Sequence, residues 1–329
     1  MSEMYPLRFS PILRRYLWGG RRLESELGKQ LGPGDDYAES WEIVDHGQDQ
    51  SIVVHGALFG QTLGHLVRTC GEELLGRHHP QPQFPLLFKF LDAHKTLSVQ
   101  VHPDDAGAAR LDPPDLGKTE AWVIVSAEPG SLIYAGLKRG FDRAALSREV
   151  ARGTTELCLH RIEAQAGQCI FIPARTVHAL GSGLVVAEIQ QASDTTFRLY
   201  DWNRVGADGN PRVLHIDQSL ETIDYAQGPV APQEILPTNH PDKHLLVACD
   251  KFVLYRWQTK TPQTISLGNH CRILAMIAGC ARIAGDPSGE EFVKGDTALL
   301  PACLGSTTIT PLSEVTFLEI HLPLDGTGG

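Results

Sequence analysis

A turn glycine, five strand-like residues and a closing Pro-Ala occur twice in this chain, as Gly167–Ala174 (GQCIFIPA) and as Gly295–Ala302 (GDTALLPA). A motif that recurs once within 329 residues predicts two related folding units rather than one continuous core. The competing explanation is coincidence between glycine- and proline-bounded strands. The neighbouring segments specify the kind of unit. Thr96–His102, Ala121–Ala127, Gln168–Ala174, Leu184–Gln191, Thr196–Trp202 and Glu314–Leu322 are short, rich in β-branched and aromatic residues, and bounded by turn formers. The expectation is a mainly β chain of two jelly-roll barrels. Helical spacing is confined to Thr62–Arg77 and Asp142–Arg152. The first barrel with its N-terminal segment is expected over 1–226, a Pro/Gln/Asn-rich linker over 227–241, and the second barrel over 242–329.

Bulk composition narrows the function classes. A formal net charge of −10 disfavours a nucleic-acid partner, whose phosphates need a basic surface. The first 20 residues lack a signal-peptide pattern, and no apolar run is long enough to span a bilayer, so a cytoplasmic chain away from membranes is expected. The seven cysteines show no CxxC spacing, which argues for reduced thiols rather than a disulfide framework or a thiolate metal site.

Gln100 and His102 stand two apart in a strand pattern, so both side chains leave the same face. Glu120 opens the next strand, and His178 lies just beyond the Pro-Ala of the first repeat. Two imidazoles, a carboxylate and an amide oxygen suit a divalent ion such as Zn²⁺ with positions left open. Gln100 is the weakest donor, acting directly or through a water. A lone histidine is more often structural, and His78, His79, His94 and His160 are read that way. Ser306 stands in the second repeat where His178 stands in the first, and no Gln-Val-His precedes it. One metal ion per chain, in the first barrel, is therefore expected.

The segments Phe88–Asp105, Gly117–Glu120 (GKTE) and Ile172–Arg204, with VQVHPD and QQASDTTFR as their most specific stretches, resemble type I mannose-6-phosphate isomerases of the short bacterial form. The likeness also covers Leu7–Arg22, Glu39–Ile43 and Arg212–Tyr225. It implies a cupin fold without the long helical insertion of larger members. It also implies zinc-dependent interconversion of mannose 6-phosphate and fructose 6-phosphate, with Gln100, His102, Glu120 and His178 as ligands. Residues matching Lys89, Lys118, Asp194 and Arg198 line that family's substrate pocket. The largest members carry histidine at the position of Gly117, so any proton-transfer role of that histidine has no bearer here.

Such an isomerase moves a proton between C1 and C2 and must stabilise an enediolate. Arg198 is assigned to that charge or to orienting substrate oxygens, with a salt bridge to Asp194 as its structural alternative. Lys118 and Lys89 are read as acid–base or phosphate-binding groups, with a solvated surface lysine as the alternative for Lys89. The expected partner is a sugar phosphate, its range beyond mannose 6-phosphate open, and the chain a monomer or homodimer. A metal-bearing sugar-phosphate sensor without turnover and an iron cupin dioxygenase are the rival readings.

Overall fold

The computed structural model describes residues 4–206 and 209–324; the ends of the expected domain ranges, 1–3 and 325–329, lie outside the described residues. The first unit is built on eight strands: β1 (Leu86–Ala93), β2 (Val99–Val101), β3 (Glu120–Ala127), β4 (Leu132–Leu137), β5 (Leu159–Glu163), β6 (Cys169–Ile172), β7 (His178–Leu180) and β8 (Leu184–Gln191). The second unit repeats them as β9 (Val253–Thr259), β10 (Gln263–Ser266), β11 (Arg272–Ala278), β12 (Cys280–Ile283), β13 (Phe292–Val293), β14 (Thr297–Leu300), β15 (Ser306–Pro311) and β16 (Val315–His321).

Sheet order makes the duplication explicit. One sheet of the first unit runs β6-β3-β8-β1 and is extended by Tyr37–Ile43 and Ile12–Gly20; the other runs β5-β4-β7-β2 and is extended by Phe197–Tyr200. The second unit has β14-β11-β16-β9, extended by Lys243–Ala248 and Leu236–Pro237, facing β10-β15-β12-β13. Adding eight to each strand number converts one pattern into the other. Both are jelly rolls of the cupin type with antiparallel pairing throughout. The repeated glycines have the same backbone, Gly167 at φ 86° and Gly295 at φ 94°, a left-handed turn that favours glycine.

Side-chain alternation sorts the core into layers. Leu91, Trp122, Ile124 and Val186 fill the first barrel, and Trp257, Leu274, Met276 and Phe317 fill the second. The opposite faces of the two six-stranded sheets join in one cluster, with Phe88, Phe90, Val123 and Val185 beside Leu254, Ile273, Leu318 and Ile320. Each of these sheets is thus buried on both sides, and β1 and β8 are buried at every position.

Several local expectations shift. The helix expected over Thr62–Arg77 breaks at Cys70 into Leu63–Thr69 and Gly71–Leu75, its start capped by the Thr62 hydroxyl accepting from His65 N at 3.2 Å. Arg143–Arg152 forms a helix capped by Asp142, which accepts from Ala145 N. The strand expected over Thr96–His102 shortens to β2. Within the 227–241 segment, Gln233 N donates to Cys169 O and Leu236–Pro237 adds a strand to the second unit. Among the described residues no helix is long and apolar enough to cross a membrane.

Candidate metal centre

Strand pairing delivers the donors. β7 pairs with β2 at His178 and Gln100, and β6 pairs with β3 at Ile172 and Glu120, so donors from three strands face the barrel interior. Ligand atoms of His102, Glu120 and His178 lie within 4.8 Å of one another, and all three residues are buried. Gln100 Nε2 lies 3.3 Å from His178 Nε2. Half a turn of that amide presents its oxygen to the same point.

The imidazoles are oriented from behind. His102 Nδ1 lies 2.9 Å from Thr195 O and His178 Nδ1 lies 2.9 Å from Thr176 O. A ring that donates from Nδ1 to a carbonyl leaves the Nε2 lone pair free for a cation. Glu120 faces both, with Oε2 at 3.5 Å from His102 Nε2 and Oε1 at 3.3 Å from His178 Nε2. Glu120 Oε2 is buried without a hydrogen bond of good geometry, and what approaches it is the Lys118 ammonium, at 2.8 Å. That ammonium is also 3.1 Å from His102 Nε2. The donor set is thus already organised around positive charge, as a divalent ion requires.

Burial pushes His178 down to about 4, and the Lys118 ammonium adds to this against the Thr176 carbonyl. Burial, then Lys118 and His178, hold His102 well below the usual imidazole range. Both rings are therefore neutral, and the close approaches to Glu120 are not salt bridges. An unfolded His178 takes up its proton near the ordinary 6.5 and the folded one near 4, so its contribution is intact above pH 6.5 and lost as pH falls to about 4. The melting temperature of metal-free protein is expected to fall more between about pH 7 and pH 5 than that of His178→Gln. Parallel curves would overturn the assignment.

A cavity of about 300 Å³ opens beside these donors, lined among others by Lys89, Gln100, Lys118, Asp194 and Arg198. Lys89 is not a surface lysine. It is buried between Glu39 at 3.4 Å and Glu188 at 3.5 Å. Burial alone would lower its pKa, but Glu188, Glu39 and Asp194 outweigh that and keep it protonated. Asp194 precedes the Phe197–Tyr200 strand instead of sharing it, and no ion pair joins it to Arg198 among the described residues. Arg198 is half-buried, donates from Nη1 to Val213 O at 2.8 Å, and has a buried Nε without a partner. Its pKa is lowered, first by burial and then by Arg212.

Residue reading missed Glu39, Glu188 and Arg212, all of which line the cavity. Glu188 had a signal, a carboxylate inside the otherwise apolar run 184–189. Arg212 is held by Asp201 through a two-point contact at 2.6 and 2.8 Å.

The second barrel lacks the donors. Ser306 is exposed, and the pair equivalent to His178 and Gln100 is the inward Thr307 with Ile265. Leu267, two residues on, stands where His102 does, and Arg272 pairs with Leu300 as Glu120 pairs with Ile172. The Arg272 guanidinium turns to Glu319 at 3.4 Å, which also meets Lys243 at 2.8 Å.

The family model for the phosphomannose isomerase type I catalytic domain matches residues 7–118. The mannose-6-phosphate isomerase of Streptococcus mutans is 34% identical over 301 residues, covering 92% of this chain and 94% of that protein. The chain belongs to the type I mannose-6-phosphate isomerase family. The crystal structure of the Bacillus subtilis mannose 6-phosphate isomerase superposes with a TM-score of 0.88 at 28% identity, covering 97% of this chain and 100% of that one. A solved mannose 6-phosphate isomerase bound with zinc and yttrium shares the fold at a TM-score of 0.76 and 16% identity, over 98% of this chain and 100% of that one. As a mannose-6-phosphate isomerase family member the chain is an enzyme, and its fold is that of the short form.

Proposed function

We propose that this isomerase interconverts mannose 6-phosphate and fructose 6-phosphate through an enediolate, using one zinc ion held by His102, Glu120 and His178 with Gln100 as the fourth, weaker donor. The observation that carries this is the convergence of those donors beside a cavity lined by Lys89, Lys118, Asp194 and Arg198. Bound zinc would supply Lewis acidity toward the sugar oxygens at C1 and C2. Neutral imidazoles and a dry carboxylate are the donors such an ion prefers. Arg198, with an unpartnered Nε at the cavity wall, is placed to meet negative charge that develops on the substrate. Lys118, 3.1 Å from His102 Nε2, and Asp194 on the wall would handle protons or hydroxyls of the sugar in this reading. Lys89, fixed as a cation, offsets Glu39 and Glu188 and presents positive charge to a phosphorylated substrate. The second barrel, in this reading, is a domain over 242–329 without metal chemistry.

A coupled assay of mannose 6-phosphate conversion, run with metal analysis before and after chelation, tests the proposal. Zinc at about one per chain, loss of turnover on its removal and recovery on its return are expected. Turnover undiminished in protein shown to be metal-free would sink it. Iron in place of zinc would indicate a dioxygenase, and zinc without turnover a sensor.

A further inference from the structure

Three parts of the chain converge on one carboxylate at the edge of the site. Asp105 Oδ1 accepts from Gly117 N and from Gln191 Nε2, each at 2.9 Å. Its Oδ2 meets the ammonium of Lys251 at 2.8 Å. Lys251 stands at the start of the second unit, just before β9, and also lies 2.7 Å from its neighbour Asp250. Gln191 continues the network, its Oε1 accepting from Thr119 N at 3.1 Å and its own N donating to Thr119 O at 3.2 Å. Lys118 N donates to Pro103 O at 3.0 Å. The segment 117–119 is therefore tied down on every residue; it carries Lys118 and leads directly into Glu120.

Gly117 shows how close the fit is. A Cβ there would lie 2.5 Å from Asp105 N and 2.9 Å from Asp105 Oδ1, so no side chain is admitted without moving Asp105. A half-exposed Lys–Asp pair is by itself worth little. This one differs because the same carboxylate fixes a backbone amide three residues from Glu120, and small displacements of a reacting group are costly in rate.

We propose that Asp105 is a positioning residue for Lys118 and Glu120, and that Lys251 tethers it, so that the second barrel helps to build the site in the first. This rests on the metal-centre reading above. The carboxyl of Asp105 supports it: burial would raise its pKa, but hydrogen bonds from Lys251, Gln191 and Gly117 outweigh that and keep it ionised.

The test uses the full chain and four variants, Asp105→Ala, Asp105→Asn, Lys251→Met and Lys251→Arg, each measured for kcat, KM, zinc retention against a chelator and melting temperature. Asp105→Ala is expected to lower kcat about tenfold, with a smaller change in KM, and to release zinc faster. Asp105→Asn, which keeps an acceptor for Gly117 N, should fall between it and wild type. Lys251→Met should lower kcat about threefold at low ionic strength, Lys251→Arg should restore it, and about 0.5 M salt should erase the difference because the pair is partly exposed. Wild-type kcat and zinc retention in both Asp105→Ala and Lys251→Met, or a melting-temperature change alone, would overturn the proposal. If Asp105→Ala does not fold, the Lys251 pair decides. Wild-type protein is assayed alongside: if it neither holds zinc nor turns over, the metal-centre reading itself fails, whereas unaffected variants beside an active zinc enzyme remove only the tether.

Discussion

Replacing His178 by alanine is expected to strip the bound metal and to lower kcat/KM for mannose 6-phosphate by about a thousandfold, roughly 4 kcal/mol of transition-state stabilisation. The expectation rests on how little else could compensate. His178 is fully buried, its ring is aimed by the Thr176 carbonyl, and its Nε2 lies 3.3 Å from both Glu120 and Gln100. Removal leaves Glu120 facing one imidazole and the Lys118 ammonium. Metal content is the decisive readout, measured beside turnover and the far-ultraviolet circular dichroism spectrum. A folded His178→Ala protein that keeps about one zinc per chain and full turnover would refute the ligand assignment.

Arg198→Ala is expected to lower kcat by about a hundredfold while raising KM only severalfold, the pattern of a group that acts more strongly on the transition state than on the bound substrate. The side chain is held by one hydrogen bond to Val213 O and leaves its buried Nε unpaired beside the cavity. Arg212 is a poor substitute, because Asp201 already holds its Nε and Nη2. Steady-state kinetics in both reaction directions check this. A change confined to KM would reassign Arg198 to ground-state binding of the phosphate.

The donors were legible because strand geometry is local. A two-residue spacing puts Gln100 and His102 on one face regardless of what surrounds them, and repeat punctuation placed His178 at a strand end. The cavity wall was harder to read. Alternation reveals a half-buried strand, but β1 and Tyr37–Ile43 are buried on both faces, so neither shows a period of two. The surface alternative for Lys89 stayed open for the same reason: its partners Glu39 and Glu188 come from strands 50 and 99 residues away in sequence, as counted from residue numbers. Asp194 and Arg198 both line the cavity, Arg198 from the Phe197–Tyr200 strand and Asp194 from the loop before it. The repeat alignment by spacing alone chose Ser306, whereas pairing and burial choose Thr307. A shift of one residue exchanges the two faces of a strand.

The apolar contact between the two six-stranded sheets also governs how the chain must be made. On the ribosome, residues 86–191 emerge while the outer face of their six-stranded sheet, with Phe88, Phe90 and Val185, still lacks the part of its cover that the second barrel supplies. Leu254, Ile273, Leu318 and Ile320, which complete the cover begun by Leu23, Leu63 and Leu74, are translated only after that sheet. The N-terminal segment waits as well, because Leu7 exchanges both backbone hydrogen bonds with Leu299. A nascent chain in that interval leaves part of an apolar sheet open to its neighbours, the kind of surface that chaperones shield. Expression at low temperature, or with added chaperone, should therefore raise the soluble yield more than any substitution at the active site.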